Sequence, residues 1–297
     1  MSEPKVDLDA WVKRCPLDVV LPKLDTLDKI QSPLELAMIE QIRQRTLVLG
    51  DLGTCRPADS LVFIRGEAPG RFITKLGGAP YRPAHVSWPL REDAVPMTFL
   101  AQFCFAHSKD ILPNLPGEML LIFARDDDLY MGDPPCFHFE WQPEGLRELI
   151  EATEVPMPMW PFVQAFAARH RTVDFENDRA VANNAKWAAK ATRMHPGRIE
   201  TMLYSLARLP GGKIGGLPHW LYPEQHEGIE AGPILCALSN LEPRTDIAPP
   251  PPNVDCWTQK EEFWEDNPEE YLNWRDGCQI NFFLTEGANI HWNVDFG

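Results

Sequence analysis

Across residues 61–141 the apolar positions come in short runs divided by Gly and Pro. That texture predicts strands. Residues 61–64, 98–105 and 119–124 are three such runs. Residues 136–141 alternate: Phe137, Phe139 and Trp141 fall on one side, and Cys136, His138 and Glu140 on the other. The alternation predicts a half-buried strand with an aromatic inner face. Other stretches carry helical spacing. Ser32, Pro33 and Glu35 form a helix start, since Ser32 caps open N–H groups, Pro33 suits the first helical position and Glu35 completes a capping box. Leu36, Ile39, Ile42 and Leu47 then form a stripe that Gly50 can end. Leu146, Leu149 and Ile150 fit a helical turn, and 180–194 and 199–206 predict two more helices. From Pro210 to Gly297 the strand-and-turn pattern returns. A capping box of Thr258 and Glu261 interrupts it and predicts a helix over 259–266, after an extended polyproline run at 249–252.

The chain also repeats itself. Lys75-Leu76-Gly77-Gly78-Ala79-Pro80 returns as Lys213-Ile214-Gly215-Gly216-Leu217-Pro218. An apolar strand follows each copy, at 99–103 and at 234–238, and Gly117 to Phe123 is answered by Gly277 to Phe283. The spacing between matches grows only across the segment with the polyproline run and the extra helix. A period this long means two copies of one domain-sized unit, because solenoid repeats are far shorter.

These residues carry a family resemblance over roughly residues 60–297. The Lys75 to Pro80 run, then Trp88-Pro89, Phe99-Leu100-Ala101-Gln102-Phe103, Leu115-Pro116-Gly117 and Leu120-Leu121-Ile122-Phe123, resembles the YwqG-like family of unknown function. Lys213 to Trp220 and Trp274-Arg275-Asp276-Gly277 resemble that family's later segment. The chain departs from the pattern at Ala237-Leu238-Ser239-Asn240 and at Arg275, so a ligand site shaped by that last turn is altered here. The resemblance implies an α+β fold and a bacterial, cytosolic protein with no established activity. Association of some members with toxin loci implies an immunity-type role.

Charge changes the picture. Twenty-eight Lys and Arg against 43 Asp and Glu leave the 297-residue chain at −15. That is a poor balance for gripping a phosphate backbone, so no nucleic-acid partner is expected. It suits a basic protein partner. The start of the sequence has no signal-like apolar region, and the apolar stretch at 155–168 is too short and too proline-broken to span a bilayer. Seven scattered cysteines without a CxxC pair read as free thiols of the cytoplasm.

Candidate chemistry is sparse. Gly211 to Gly216 resembles a phosphate loop, but Ile214 stands where Ser or Thr would hold Mg²⁺. A tight glycine turn and an anion contact both remain open there. His138 and Glu140 lack the downstream cysteines of a zinc deaminase. His219, Glu224, His226 and Glu227 have irregular spacing, and the acidic run at 126–128 does not match a calcium loop. Trp88, Trp220, Trp274 and Trp292 lie near turns and read as core or its rim more readily than as stacking platforms.

The sequence therefore predicts an α+β protein with two related, mainly antiparallel β halves from an internal duplication, plus N-terminal and central helical segments. The divisions are 1–55 helical, 56–142 first β repeat, 143–209 helical, and 210–297 second β repeat with an insertion at about 242–276. No catalytic residue, metal or cofactor is expected. The expected function is non-enzymatic binding of a basic partner, immunity-type in one version. The alternative is a small-molecule binder or enzyme with a site between the repeats, built from Lys75, Gln102, Lys213 and Asp276.

Overall fold

The computed structural model describes residues 55–125, 137–158, 164–175, 212–218, 234–239, 241–243, 256–259, 279–285 and 288–295. The strands are β1 (Cys55–Arg65), β2 (Lys75–Leu76), β3 (Thr98–Cys104), β4 (Met119–Ala124), β5 (Phe137–Gln142), β6 (Ala165–Phe175), β7 (Gly212–Gly215), β8 (Cys236–Ser239), β9 (Leu241–Pro243), β10 (Cys256–Gln259), β11 (Gln279–Leu284) and β12 (Ile290–Asp295). They form one sheet in the order β12-β11-β8-β7-β1-β6-β2-β3-β4-β5, with β10 joining β1 to β9 off that path. Every pairing is antiparallel.

The order has a midline. The two longest strands, β1 and β6, pair along their whole length from Cys55↔Phe175 to Arg65↔Ala165. On one side β6 leads into a first wing, β2-β3-β4-β5; on the other β1 leads into a second wing, β7-β8-β11-β12. Each long strand therefore joins the wing farther from it in sequence. Residues directly opposite in antiparallel pairs share a face. One face collects the large core cluster, including Leu61, Phe63, Leu76, Phe103, Ile122, Ile214, Cys236 and Phe282. The two ends of the sheet meet over this core. Phe137 of β5 lies 5.6 Å from Phe282 of β11 and 5.0 Å from Trp292 of β12, both edge to face. Such ring pairs add about 0.5–1.5 kcal/mol each beyond area burial.

The opposite face of the first wing is covered by loops. Tyr81, Met97, Phe99, Met119, Leu121 and Phe123 form a second cluster there, with Trp88, Leu146 and Leu149 packed on it.

The α+β expectation is corrected by these elements. The described residues hold strands and short 3-10 turns, as at Ala152–Glu154, and no α-helix. The helical spacing of Leu146, Leu149 and Ile150 comes from a loop laid on the sheet. Its backbone bonds go to the 82–84 segment, Ile150 N–H to Arg82 O and Ala84 N–H to Glu148 O, and not along itself. The stretch read as a central helical segment contains β6, at the sheet's midline. A strand paired on both sides and covered on both faces loses the alternation that marks a half-buried one. Thr258, taken for a helix cap, lies in β10 opposite Glu242. The helices predicted at 32–50, 180–194 and 199–206 lie outside the described residues, as does the polyproline run. Among the described residues no helix is long and apolar enough to cross a membrane.

Candidate functional site

The two Lys–x–Gly–Gly turns have the same local structure. Lys75 opens β2 and Lys213 lies in β7. After each, two glycines adopt left-handed backbone: Gly77 and Gly78 at φ 59° and 67°, Gly215 and Gly216 at 69° and 78°. That region is open to glycine at little cost and disfavours a side chain, which explains the glycine pairs. Gly77 N–H donates to Leu100 O at 3.0 Å and Gly215 N–H to Leu235 O at 3.1 Å. In both turns the lysine reaches forward, Lys75 Nζ donating to Ala79 O and Lys213 Nζ to Leu217 O. Both side chains are buried, at 6% and 1% exposure.

The turns differ in one carboxylate. Asp174 of β6 lies against Lys213, with Oδ2 at 2.8 Å from Nζ, and the same oxygen accepts the Leu217 N–H at 3.1 Å. Among the described residues Lys75 has no ion pair, and its one hydrogen bond is to Ala79 O. Burial first, then repulsion from Arg71, lowers the Lys75 amine from 10.5 to about 8, with Glu67 pulling the other way.

The sheet keeps the two lysines apart. Lys75 is in register with Phe166, which is opposite Ile64, whereas Lys213 is opposite Ser60. Both lie on the face away from the large core. Three inter-strand gaps and four residues of strand separate them, on the order of 20 Å. Gln102 is beside Lys75 in register, but its amide is committed to the backbone. Its Oε1 accepts Tyr81 N–H at 2.8 Å, and its Nε2 donates to Arg71 O and Ile73 O at 2.6 and 2.7 Å. It fixes the loop before Lys75. Asp276 lies outside the described residues, as do Trp220, Trp274, the 126–128 acidic run and the His219 to Glu227 cluster.

Sequence reasoning missed two buried ionic groups. Asp59, Arg169 and Arg171 lie on the core side and tie the loop after β3 to the midline strands. Arg169 Nη1 and Ser108 Oγ reach Asp59 Oδ2 at 2.7 and 2.5 Å, and Arg171 Nε is 2.6 Å from Oδ1. Arg171 also pairs with Asp110 at 2.7 Å. Arg82, fully buried, grips Glu140 through Nε at 2.7 Å and Nη2 at 2.9 Å, and caps Val86 O and Ser87 O. Its guanidinium lies 5.5 Å from the Trp88 ring centroid. Burial opposes ionisation of Glu140, but hydrogen bonds from His138 and Arg82 outweigh it and hold the carboxyl below its ordinary range. The only local hint was alternation in Arg169-His170-Arg171, which places both arginines on one face of a strand.

His138 contacts Glu140 at 3.3 Å. Among the described residues no three His, Cys, Asp or Glu come together as metal ligands. Trp88 donates to Met97 O at 2.7 Å and packs on Phe123; Trp292 packs on the core. Burial pushes the Cys104 thiol up to about 11 and the Cys236 thiol well above its ordinary value, so both are poor nucleophiles. A groove of about 290 Å³ lies at the end of the first wing beside Leu90, Asp93, Met97, Arg125 and His138, away from all the candidate lysines.

The fold and the paired turns define an antiparallel β protein with a single curled sheet and two equivalent lysine–glycine turns, one closed by a carboxylate and one not. The chain belongs to the family described as Domain of unknown function (DUF1963), whose model matches residues 74–292 and so spans both turns. No curated protein matches the chain.

Proposed function

We propose that this chain is a non-enzymatic binding protein of the YwqG-like kind, cytoplasmic, that associates with a basic protein partner; immunity against a basic toxin is one form of that role. The observation that carries the reading is an exposed acidic ridge on the loop covering the first wing. Glu144, Glu148, Glu151 and Glu154 are all exposed there, with Arg147 as the one base among them. The ridge is held in shape before any partner arrives. Glu144 N–H donates to Glu118 Oε2 at 3.3 Å, and Glu151 N–H donates to Glu154 Oε2 at 2.9 Å. A preordered surface loses less entropy on association. Met157, at 91% exposure, adds an apolar contact at the end of the same loop.

The test is capture from native lysate at low and at high salt, with the wild type and with Glu144→Lys/Glu148→Lys. A basic protein held by the wild type, released by salt and about tenfold slower to associate with the double variant supports the proposal. Equal capture by both proteins at both salt concentrations sinks it.

The small-molecule reading keeps one supporting observation, the amine of Lys75, which has no ion pair among the described residues. A thermal-shift screen with metabolites and metals tests it, since a ligand at a hundredfold excess over Kd adds about 2.7 kcal/mol.

A further inference from the structure

The two turns superimpose in their bonding. Where Gly216 comes close to Ala58, Gly78 comes close to Gln164: a Cβ on Gly216 would stand 3.0 Å from Ala58 Cβ, and one on Gly78 would stand 3.1 Å from Gln164 Oε1. Counted from that correspondence, the position matching Asp174 is Ala68. It lies past the end of β1, where the chain has left the strand through Gly66 at φ 125°. β6 continues as a strand to Phe175 and so carries Asp174 to its lysine. The course of the chain therefore brings no carboxylate to the first turn from the matching position, while the turn has the donors such a carboxylate would serve.

Those donors are the Lys75 ammonium and the Ala79 N–H, the counterparts of Lys213 Nζ and Leu217 N–H. The Ala79 N–H has no partner among the described residues. Arg71 lies close enough to Lys75 to act on it electrostatically, and among the described residues Glu67 is the one acid that opposes it. Gln164, an uncharged amide, stands beside the slot. Gly78 and Ala79 are only half buried and Glu67 and Gln164 are exposed, so the slot opens to solvent.

We propose that the Lys75–Ala79 turn is a carboxylate-binding subsite, in which one oxygen of an external carboxylate bridges Lys75 Nζ and the Ala79 N–H in the place that Asp174 Oδ2 holds in the second turn. The inference stands apart from the acidic ridge and from a basic partner. It assigns a small acid-binding recess on a chain whose net charge is negative.

The experiment is NMR of the full chain carrying ¹³Cε-labelled lysine, with Lys75 assigned through Lys75→Met. Its titration is followed in sodium chloride and, at matched ionic strength, in acetate, acetyl-glutamate amide, acetyl-glycyl-glycine or inorganic phosphate. A bound carboxylate stabilises the charged amine, so the Lys75 midpoint should rise by at least one pH unit in acetate over chloride, a tenfold change in proton affinity. A larger rise with acetyl-glutamate amide identifies a side-chain source, and one with acetyl-glycyl-glycine a chain terminus. Gln164→Glu supplies an internal carboxylate, and it should raise the midpoint in chloride and abolish the acetate effect. An equal rise in chloride and acetate, a rise with phosphate alone, or an acetate effect unchanged in Gln164→Glu would overturn the proposal.

Discussion

The two lysine turns share a backbone, a glycine pair and a forward-reaching amine, yet they sit in opposite electrostatic states. At Lys213 the buried ammonium meets a buried carboxylate, and that carboxylate also serves a backbone N–H. At Lys75 the burial is nearly as complete, and no carboxylate pairs with it among the described residues. A buried ion pair is neutral overall and rigid. A buried lone ammonium is a standing cost of desolvation, which the fold bears and a ligand can relieve. The contrast teaches that the same sequence motif marks a structural clamp in one wing and a receptive position in the other, and that the deciding residue lies outside the motif.

The sharpest way to break the comparison is to remove Asp174. Asp174→Ala leaves Lys213 buried without its partner, and it should cost about 3–5 kcal/mol in urea unfolding. If the cost is under about 1 kcal/mol, the second turn is not clamped.

The next largest contrast lies between the lysines. Lys213→Met takes the ammonium away from Asp174, which is 4% exposed and still accepts the Leu217 N–H, and should cost about 3 kcal/mol. Lys75→Met removes a charge that has no ion-pair partner among the described residues and should be neutral or stabilising by about 1 kcal/mol. Similar losses in both would erase the distinction.

A comparable effect is expected with pH. The folded Lys75 amine titrates at about 8, below its ordinary 10.5. Between those values the unfolded chain binds more protons than the folded one, so this group makes stability rise with pH across that window. The penalty is complete below pH 8. The gain is up to about 3 kcal/mol, read as the difference between the wild type and Lys75→Met in denaturation at pH 7.5 and 10.5.

The smallest contrast is in the glycines. Gly78→Ala should cost about 1 kcal/mol, from left-handed backbone alone, since its new methyl meets only the mobile end of Gln164. Gly216→Ala drives a methyl into the Asp174 carboxylate and against Ala58, so its loss should be clearly larger by thermal melt.

Much of the first wing was legible in the sequence. β4 matches its apolar run, and β5 shows its aromatic face directly in the alternation of Phe137, Phe139 and Trp141. The paired turns were legible because glycine at left-handed positions cannot be exchanged cheaply. β6 was not. Its Ala165 to Ala167 stretch, covered on two faces, has no period to read, and the loop at 146–150 imitates helical spacing because it lies flat on the sheet. The counter-charge that separates the two lysines was also out of reach, because Asp174 meets Lys213 only once β6 and β7 lie on either side of β1. Of the four residues expected in a shared site, Lys75 and Lys213 are held in separate turns, and Gln102 is bound to the backbone.

The crossed arrangement of the midline strands bears on how the chain folds. β1 leaves the ribosome before every other described strand. Its partners are β6, β7 and β10, and the nearest of them follows by about a hundred residues. Until those arrive, both its edges are open templates for another chain. Folding dominated by such distant pairings is slow. Nascent first wings on neighbouring ribosomes therefore risk pairing β1 with one another's late strands, so the crossing that locks the finished sheet also makes its synthesis the moment of greatest exposure to misassembly.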